Sequence, residues 1–130
     1  YQQSRYSYET AGRLGEVARE FRRRGIPCDV LHLDIHHLDG HRVFTFGPGY
    51  PDAPGVIRRL ARRGFRVVTI VDPGVKEDPS FGVLARGRKA GAFVRDATGR
   101  RDVLGEVWPG RSRFPDFLNA PARRWWGDEQ

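Results

Sequence analysis

The 130-residue sequence has a single cysteine, Cys28, no methionine, and only two lysines among its 23 basic residues. A lone cysteine excludes a disulfide framework and any zinc site built from several cysteines. No apolar run approaches the roughly 18 residues that a membrane-spanning helix requires, so the sequence predicts no contact with a membrane. The first residues lack the apolar core of a signal peptide. These absences favour a cytoplasmic protein that folds without disulfides.

The charge that is present is mostly arginine. The formal net charge is +7, while 38% of the residues are hydrophobic and 30% are charged, which is typical of a folded globular chain. A basic surface suits nucleic acid or an acidic polymer, and a non-catalytic α/β binding module for such a partner is one interpretation. No nucleic-acid motif accompanies the charge, and the near-complete use of arginine over lysine indicates a GC-rich coding sequence. We therefore predict no nucleic-acid partner.

Strand and helix patterns alternate in the first half of the chain. Residues 10–24 carry an apolar stripe at helical spacing between a capping Thr10 and a terminating Gly25, and a buried strand follows at residues 28–34. A second helix begins near Asp52, and residues 65–71 form a β-branched strand. With a short first strand within residues 2–8, this order predicts an α/β fold with parallel strands and right-handed crossovers.

The second half of the chain is less regular. Residues 79–88 suit a short helix, and residues 92–94 and 103–107 suit the two arms of a hairpin. Asn119 is placed to cap a last helix. In the long loop between the second strand and the second helix, residues 44–46 are predicted to be extended.

Polar and aromatic residues follow the predicted strands, at the end where parallel α/β folds bind ligands. These are Tyr6 after the first strand, Asp34 after the second and Asp72 after the third, with Trp108 in a later loop. Carboxylates accept hydrogen bonds from neighbouring hydroxyls and aromatic rings cover C–H faces, so the set suits a sugar. Each Asp also suits a helix cap or turn, and Trp108 a core position.

Four histidines, His32, His36, His37 and His41, lie close together in the sequence. A metal hydrolase is therefore a third interpretation, but a catalytic zinc site usually draws a ligand from elsewhere in the chain. We predict loop positions for the last three histidines and a buried, unreactive Cys28. No glycine-rich phosphate loop follows a strand, and we predict neither a metal nor a cofactor.

Seven stretches of the sequence carry a resemblance to a known family: residues 4–8, 25–30, 33–36, 39–46, 71–76, 107–110 and 114–117. The most specific are Asp-Ile at 34–35, Phe-Thr at 44–45, Asp-Pro-Gly at 72–74 and Trp-Pro-Gly at 108–110. In this order the stretches resemble the first part of the catalytic barrel of glycoside hydrolase family 31, which contains α-glucosidases and α-xylosidases.

The resemblance implies a partial (β/α)₈ TIM barrel with about three parallel strands and crossover helices. Residues 1–130 would be the N-terminal portion of the catalytic domain, a single incomplete domain whose partners are an α-linked oligosaccharide or glycoside and the remainder of the barrel. The implied activity is hydrolysis of terminal α-linked sugars with retention. The family's nucleophile lies in a Trp-x-Asp-Met-Asn-Glu type motif on the next strand, which this sequence lacks, so no catalytic residue is assigned.

The resemblance also implies which residues contact the sugar. Asp34 and Asp72 match residues that hydrogen-bond sugar hydroxyls, and the remaining matches line the pocket wall. The implied substrate-binding residues are Tyr6, Asp34, Ile35, Ile70, Asp72 and Trp108.

The sequence departs from the family pattern around the outer wall of the implied pocket. The family often has an aromatic residue where this chain has His37 and His41. The pair Phe46-Gly47 replaces an aromatic-Asp pair, and Phe81 and Leu84 replace frequent tyrosines. These departures bear on which sugar is bound.

Overall fold

A computed structural model describes all residues, 1–130. A three-stranded parallel sheet contains β1 (Gln2–Gln3), β2 (Val30–Leu33) and β3 (Arg66–Thr69), in the order β1-β2-β3. The helix α1 (Ala11–Arg23) connects β1 to β2, and α2 (Ala53–Ala61) connects β2 to β3. The predicted strand-helix alternation with parallel pairing is confirmed for this part of the chain.

Short-range capping explains where the two helices begin. The Thr10 hydroxyl accepts a hydrogen bond from the Arg13 amide, and the Asp52 carboxylate accepts one from the Gly55 amide. Each bond satisfies an amide that has no partner within its helix. Gly25 follows α1 with a φ of 65°, a left-handed conformation that glycine adopts without steric cost. Both N-caps and the terminating glycine match the sequence prediction.

The chain divides into two compact units, of which the first comprises residues 1–40 and 45–70. In its sheet, Leu31 and Leu33 are buried against the helices while His32 lies on the opposite face, where it hydrogen-bonds Gln2. Cys28 is fully buried, as predicted. The buried residues of this core are Tyr8, Leu14, Ala18, Cys28, Leu31, Leu33, Tyr50, Ala53, Val56, Leu60 and Phe65.

Arg22 ties the end of α1 to the neighbouring loops. Its guanidinium donates hydrogen bonds to three backbone carbonyls, those of Cys28, Arg63 and Gly64, at 2.9–3.3 Å. It also lies over the Phe65 ring, with 3.8 Å between the guanidinium carbon and the ring centroid. These contacts satisfy backbone acceptors in the segment before β2 and in the loop after α2.

We expect Arg22→Ala to lower the free energy of unfolding by about 2 kcal/mol, because several hydrogen bonds to a charged donor are lost together. Arg23→Ala is the matched control, since Arg23 pairs only with the exposed carboxylate of Glu20. Urea unfolding followed by circular dichroism measures both changes. Equal losses in the two variants would contradict the stabilising role of Arg22.

The second unit comprises residues 41–44 and 71–130 and is built around an antiparallel sheet. Its strands are β4 (Val75–Lys76), β5 (Leu104–Val107) and β6 (Gly110–Arg113), in the order β4-β6-β5. The helices are α3 (Gly82–Lys89) and α4 (Ala120–Glu129). Ala122 and Trp125 of α4 are buried, but Asn119 makes no side-chain cap and instead donates to the Gly91 carbonyl at 3.5 Å.

The predicted hairpin around residues 96–99 forms only near its turn, and most of its second arm pairs elsewhere. The segment 103–107 pairs mainly with Gly110–Arg113 around a turn at Trp108 and Pro109. Near the predicted turn, Arg95 bridges to Asp102 and the Val103 amide donates to the Val94 carbonyl, whereas Phe93 bridges to Pro115 instead of to the 103–107 segment. The two-residue connection favours local pairing, because it closes the shorter loop.

Two further expectations about local structure have different outcomes. The first strand lies within residues 2–8, as predicted, and covers Gln2–Gln3. Residues 44–46, in contrast, are not extended: the loop forms 3₁₀ turns at Ile35–His37 and Asp39–His41, and Phe44 has a φ of 62°. The Asp34 side chain caps the first of these turns. None of the helices is long and apolar enough to span a bilayer.

Four residues from this loop belong to the second unit. Val43 is buried in its core, and the Phe44 ring packs edge-on against Trp126 with centroids 4.8 Å apart. Arg42 forms an ion pair with Asp78, whose carboxylate also accepts hydrogen bonds from Ser80. The buried residues of this core are Val43, Val75, Phe81, Val83, Leu84, Ala92, Phe93, Ala122 and Trp125.

Candidate functional site

Asp34 follows the carboxyl end of β2 directly, at the edge of the sheet where parallel folds bind ligands. Its backbone is extended, and its Oδ1 accepts a hydrogen bond from the Ile35 amide at 2.7 Å. The other carboxylate oxygen, Oδ2, accepts no hydrogen bond from the chain. The half-buried Asp34 therefore has one fixed oxygen and one available to a ligand.

Three of the other predicted site residues belong to the same unit as Asp34. Tyr6 is 68% exposed, and its ring packs edge-on against His36 with centroids 4.6 Å apart. Ile70 is 37% exposed, and its amide donates to the Leu33 carbonyl at 3.0 Å, which places it beside the end of β2. Ile35 is buried. Ile35 contributes to the candidate site through its backbone amide, which donates the hydrogen bond to Asp34 Oδ1.

Asp72 and Trp108 belong to the second unit. Asp72 is half-buried and precedes Gly74, where a Cβ atom would lie 2.8 Å from the Val107 side chain. Gly74 thus permits a close approach between the segment after Asp72 and the β5–β6 hairpin. Trp108 lies in the turn of that hairpin and is 70% exposed. Its exposure is inconsistent with the alternative of a core position.

His37 is the buried histidine of the loop that follows Asp34. Its ring Nδ1 lies 2.8 Å from the Asp34 carbonyl, and its ring packs against Phe46 with centroids 5.3 Å apart. Burial lowers the pKa of His37 below its ordinary value, although the Asp34 carbonyl and carboxylate act in the opposite direction. The sequence predicted a loop position for His37 but not its burial.

Part of the positive charge of the chain is balanced by ion pairs within the molecule. In the second unit the Glu77 carboxylate pairs with Arg88 and Arg113, and Arg113 also bonds Asp102 at 2.7 Å. The two guanidinium groups lower the pKa of Glu77. Sequence spacing gives no signal for this network, because its members lie on separate elements. Such ion pairs reduce the repulsion between neighbouring guanidinium groups, and they form without a polyanionic partner.

The histidines do not form a metal centre. No group of three or more His, Cys, Asp or Glu side chains in the chain lies close enough together to hold a metal ion. His32 instead hydrogen-bonds Gln2 at 2.8 Å, and His36 contacts Tyr6. The metal-hydrolase interpretation therefore has no candidate ligand set in the structure.

Comparison with known protein families identifies the family to which the chain belongs. The model of the glycosyl hydrolases family 31 TIM-barrel domain matches residues 1–130, the whole chain. The chain belongs to glycosyl hydrolase family 31. The resemblance predicted from the Asp-Ile, Phe-Thr, Asp-Pro-Gly and Trp-Pro-Gly stretches is thereby confirmed.

Curated relatives of this family 31 chain are much longer than it is. Alpha-glucosidase 2 of Bacillus thermoamyloliquefaciens is 48% identical over 130 residues, which are 99% of this chain and 16% of that protein. Human neutral alpha-glucosidase AB is 39% identical over 129 residues, 98% of this chain and 14% of that protein. The chain thus spans about one sixth of the length of the relatives it matches.

Solved structures agree with the family assignment. A glucosidase II alpha subunit in a DNJ-bound form superposes with a TM-score of 0.93 at 31% identity, over 97% of this chain and 14% of that one. The family 31 alpha-glucosidase from Bacteroides thetaiotaomicron gives a TM-score of 0.86 at 42% identity, over 97% and 22%. The family 31 segment therefore has the local fold that these enzymes share.

Proposed function

We propose that this chain is the N-terminal part of the catalytic barrel of a retaining α-glycosidase that hydrolyses terminal α-linked sugars. The observation that carries the proposal is the match of all 130 residues to the family 31 barrel domain. Relatives named alpha-glucosidase, and one named alpha-xylosidase, match the chain at 34–48% identity. The parallel sheet supports an incomplete (β/α)₈ domain, since three strands are fewer than the eight that such a barrel closes with.

Asp34 is the residue we assign most directly to sugar binding. Its unoccupied Oδ2 is suited to accept a hydroxyl hydrogen, while the Ile35 amide holds Oδ1 in place. Tyr6, Ile35 and Ile70 are the proposed wall residues of the first unit. Asp72 and Trp108 stay predictions from the sequence, as do the single-domain organisation and the cytoplasmic location.

The proposed division of labour follows from retaining chemistry. Such hydrolysis needs two carboxyl groups about 5–5.5 Å apart, one a nucleophile and the other a general acid and base. We place both on later strands of the barrel. Asp34 then orients the sugar ring and binds its hydroxyls more tightly as the oxocarbenium-like transition state forms.

A graft tests this proposal. We would replace the matching segment of the Bacillus alpha-glucosidase 2, which is 48% identical, with residues 1–130 of this chain. The grafted enzyme is expected to hydrolyse p-nitrophenyl α-glucoside and to release α-glucose first, as seen by proton NMR. A folded graft with an intact remainder and no hydrolysis of α-glucosides or α-xylosides would contradict the proposal.

We expect no turnover from the isolated 130-residue chain, since neither catalytic carboxylate is assigned to it. The measurement is release of p-nitrophenol from the α-glucoside at high protein concentration. The intact Bacillus enzyme, assayed alongside, is the positive control. The expectation is contradicted if hydrolytic activity copurifies with the isolated chain and is lost in the Asp34→Asn variant. That result would show that a complete active site lies within these residues.

The alternative of a basic binding module predicts a different behaviour. Contacts with phosphates weaken steeply as salt rises, whereas hydrogen bonds to a neutral sugar do not. Binding of single-stranded DNA and of maltose by the grafted enzyme, each measured at increasing salt concentration, separates the two functions. The proposed α-glycosidase role requires that binding of maltose by the grafted enzyme be insensitive to salt.

A further inference from the structure

His37 makes two hydrogen bonds to a single atom of Asp34. Its backbone amide donates to the Asp34 carbonyl oxygen at 3.1 Å, and its ring Nδ1 lies 2.8 Å from the same oxygen. Because a carbonyl only accepts, Nδ1 must carry the hydrogen. The neutral ring is therefore fixed in the Nδ1–H form, with the Asp34 carbonyl as its partner.

Two residues later in the same loop, Phe46 and Gly47, contact His37. The His37 carbonyl accepts a hydrogen bond from the Gly47 amide at 2.8 Å, and the Phe46 ring packs against the imidazole. At Gly47 a Cβ atom would lie 2.9 Å from the Leu38 carbonyl oxygen, so glycine is needed for this approach. The imidazole is thus clamped between the return limb of the loop and the end of β2.

We propose that His37 is a positioning residue that fixes the orientation of the Asp34 carboxylate. The ring holds the Asp34 carbonyl, and the Ile35 amide holds Oδ1 at 2.7 Å, so both ends of the residue are restrained and Oδ2 keeps one direction. The value of this arrangement for sugar binding rests on the proposed function. The coupling between the two side chains does not, and it is measurable without a sugar.

Protonation of His37 places a charge in a buried site. The charged group that acts on the ring is the Asp34 carboxylate, and the uncharged Phe46 ring packs against the imidazole from the loop. Burial outweighs the attraction of the carboxylate, so the pKa lies below 6.5 and the ring is neutral at pH 7. Stability from the neutral ring is full above pH 6.5 and is lost as the pH falls below that value, since the unfolded chain then binds more protons.

The experiment is a pH titration of the 130-residue chain by NMR. It follows the His37 ring carbons, the Asp34 carboxyl carbon and the Ile35 amide from pH 8 to pH 4.5. We expect the Ile35 amide signal to shift with the same midpoint as the His37 ring, below 6.5. Titration of His37 with no accompanying change at Asp34 or Ile35 would overturn the proposal.

Two substitutions separate positioning from simple packing. Asn places an amide N–H where Nδ1 lies but does not titrate, so His37→Asn should keep the Ile35 amide at its wild-type pH 7 position and lose the low-pH shift. His37→Phe fills the space without a donor and should displace the Ile35 and Asp34 signals at pH 7. Equal spectra for the two variants at Asp34 and Ile35 would contradict positioning, because a packing role does not distinguish them.

The controls address other histidines and the sugar. His32→Asn removes the imidazole that bonds Gln2 and should leave the titration of Ile35 unchanged. If His37→Phe fails to fold, the wild-type titration and His37→Asn still decide the result. Binding of methyl α-glucoside to the grafted enzyme is a separate measurement. If His37 and Asp34 are coupled in the NMR titration but the sugar has no effect on the grafted enzyme, the positioning role stands and the proposed function is rejected.

Discussion

Asp34→Asn in the grafted α-glucosidase is expected to lower kcat/KM for p-nitrophenyl α-glucoside by roughly 100-fold or more. Hydroxyl contacts that strengthen in the transition state supply several kcal/mol to glycoside hydrolysis, and each 1.4 kcal/mol corresponds to about tenfold in rate. The substitution retains the size of the side chain and an oxygen for the Ile35 amide. It removes the negative charge that binds the sugar hydroxyl as positive charge develops on the ring.

The matched control for this prediction is Asp29→Asn. Asp29 lies just before β2, at the opposite end of the strand from Asp34, and its side chain is 77% exposed. The same chemical change at this end should leave kcat/KM within about twofold of the unmodified graft, as expected for an exposed surface position. Kinetics at several substrate concentrations separate kcat from KM. Similar effects at Asp29 and Asp34 would contradict the assignment of the site to the carboxyl end of the strand.

Phe65→Ala is expected to be the most damaging single change to stability, with a loss of about 3–5 kcal/mol in the free energy of unfolding. Phe65 is 2% exposed and lies in the core of the first unit, where its ring also supports the Arg22 guanidinium. Removing the ring leaves a cavity and takes the aromatic face away from the arginine. Since whole domains are stable by only about 5–15 kcal/mol, we expect the variant to be largely unfolded at 37 °C.

Urea unfolding of the isolated chain measures the effect of Phe65→Ala, with Phe117→Ala as the control. Phe117 is 44% exposed, so truncation of its ring loses contacts on one side and leaves no enclosed cavity. We expect the control to retain most of the wild-type unfolding midpoint. A loss at Phe65 of less than about 1 kcal/mol would show that the core can collapse around the missing ring.

Local signals in the sequence explain the parts of the fold that were predicted well. Thr10, Gly25 and Asp52 mark the helix ends through bonds that span three residues or fewer, or through a single backbone conformation. The alternation of Leu31, His32 and Leu33 also reads directly as one buried and one open face. Such features depend on neighbours in the sequence, so they are visible before the fold is known.

The features that were not predicted depend on partners that are distant in the sequence, or on competition between two partners for one segment. The segment 103–107 had two possible partners, and the closer one at Gly110–Arg113 takes most of its pairing. The burial of His37 depends on Phe46 and Gly47, which approach only when the loop closes. The Asp34 position was predicted from strand order and family resemblance. Its fixed Oδ1 was not, because the 3₁₀ turn that creates it follows no apolar pattern.

The passage of residues 41–44 through the second core limits how the protein can be divided. A fragment of residues 71–130 would leave the place of Val43 in that core empty and would deprive Asp78 of its arginine partner. A fragment that ends at residue 40 would in turn lack Tyr50, whose hydroxyl donates to the Tyr8 carbonyl at 2.6 Å. No single cut point therefore yields two self-sufficient pieces, and recombination between family members is best done at the two ends of the chain.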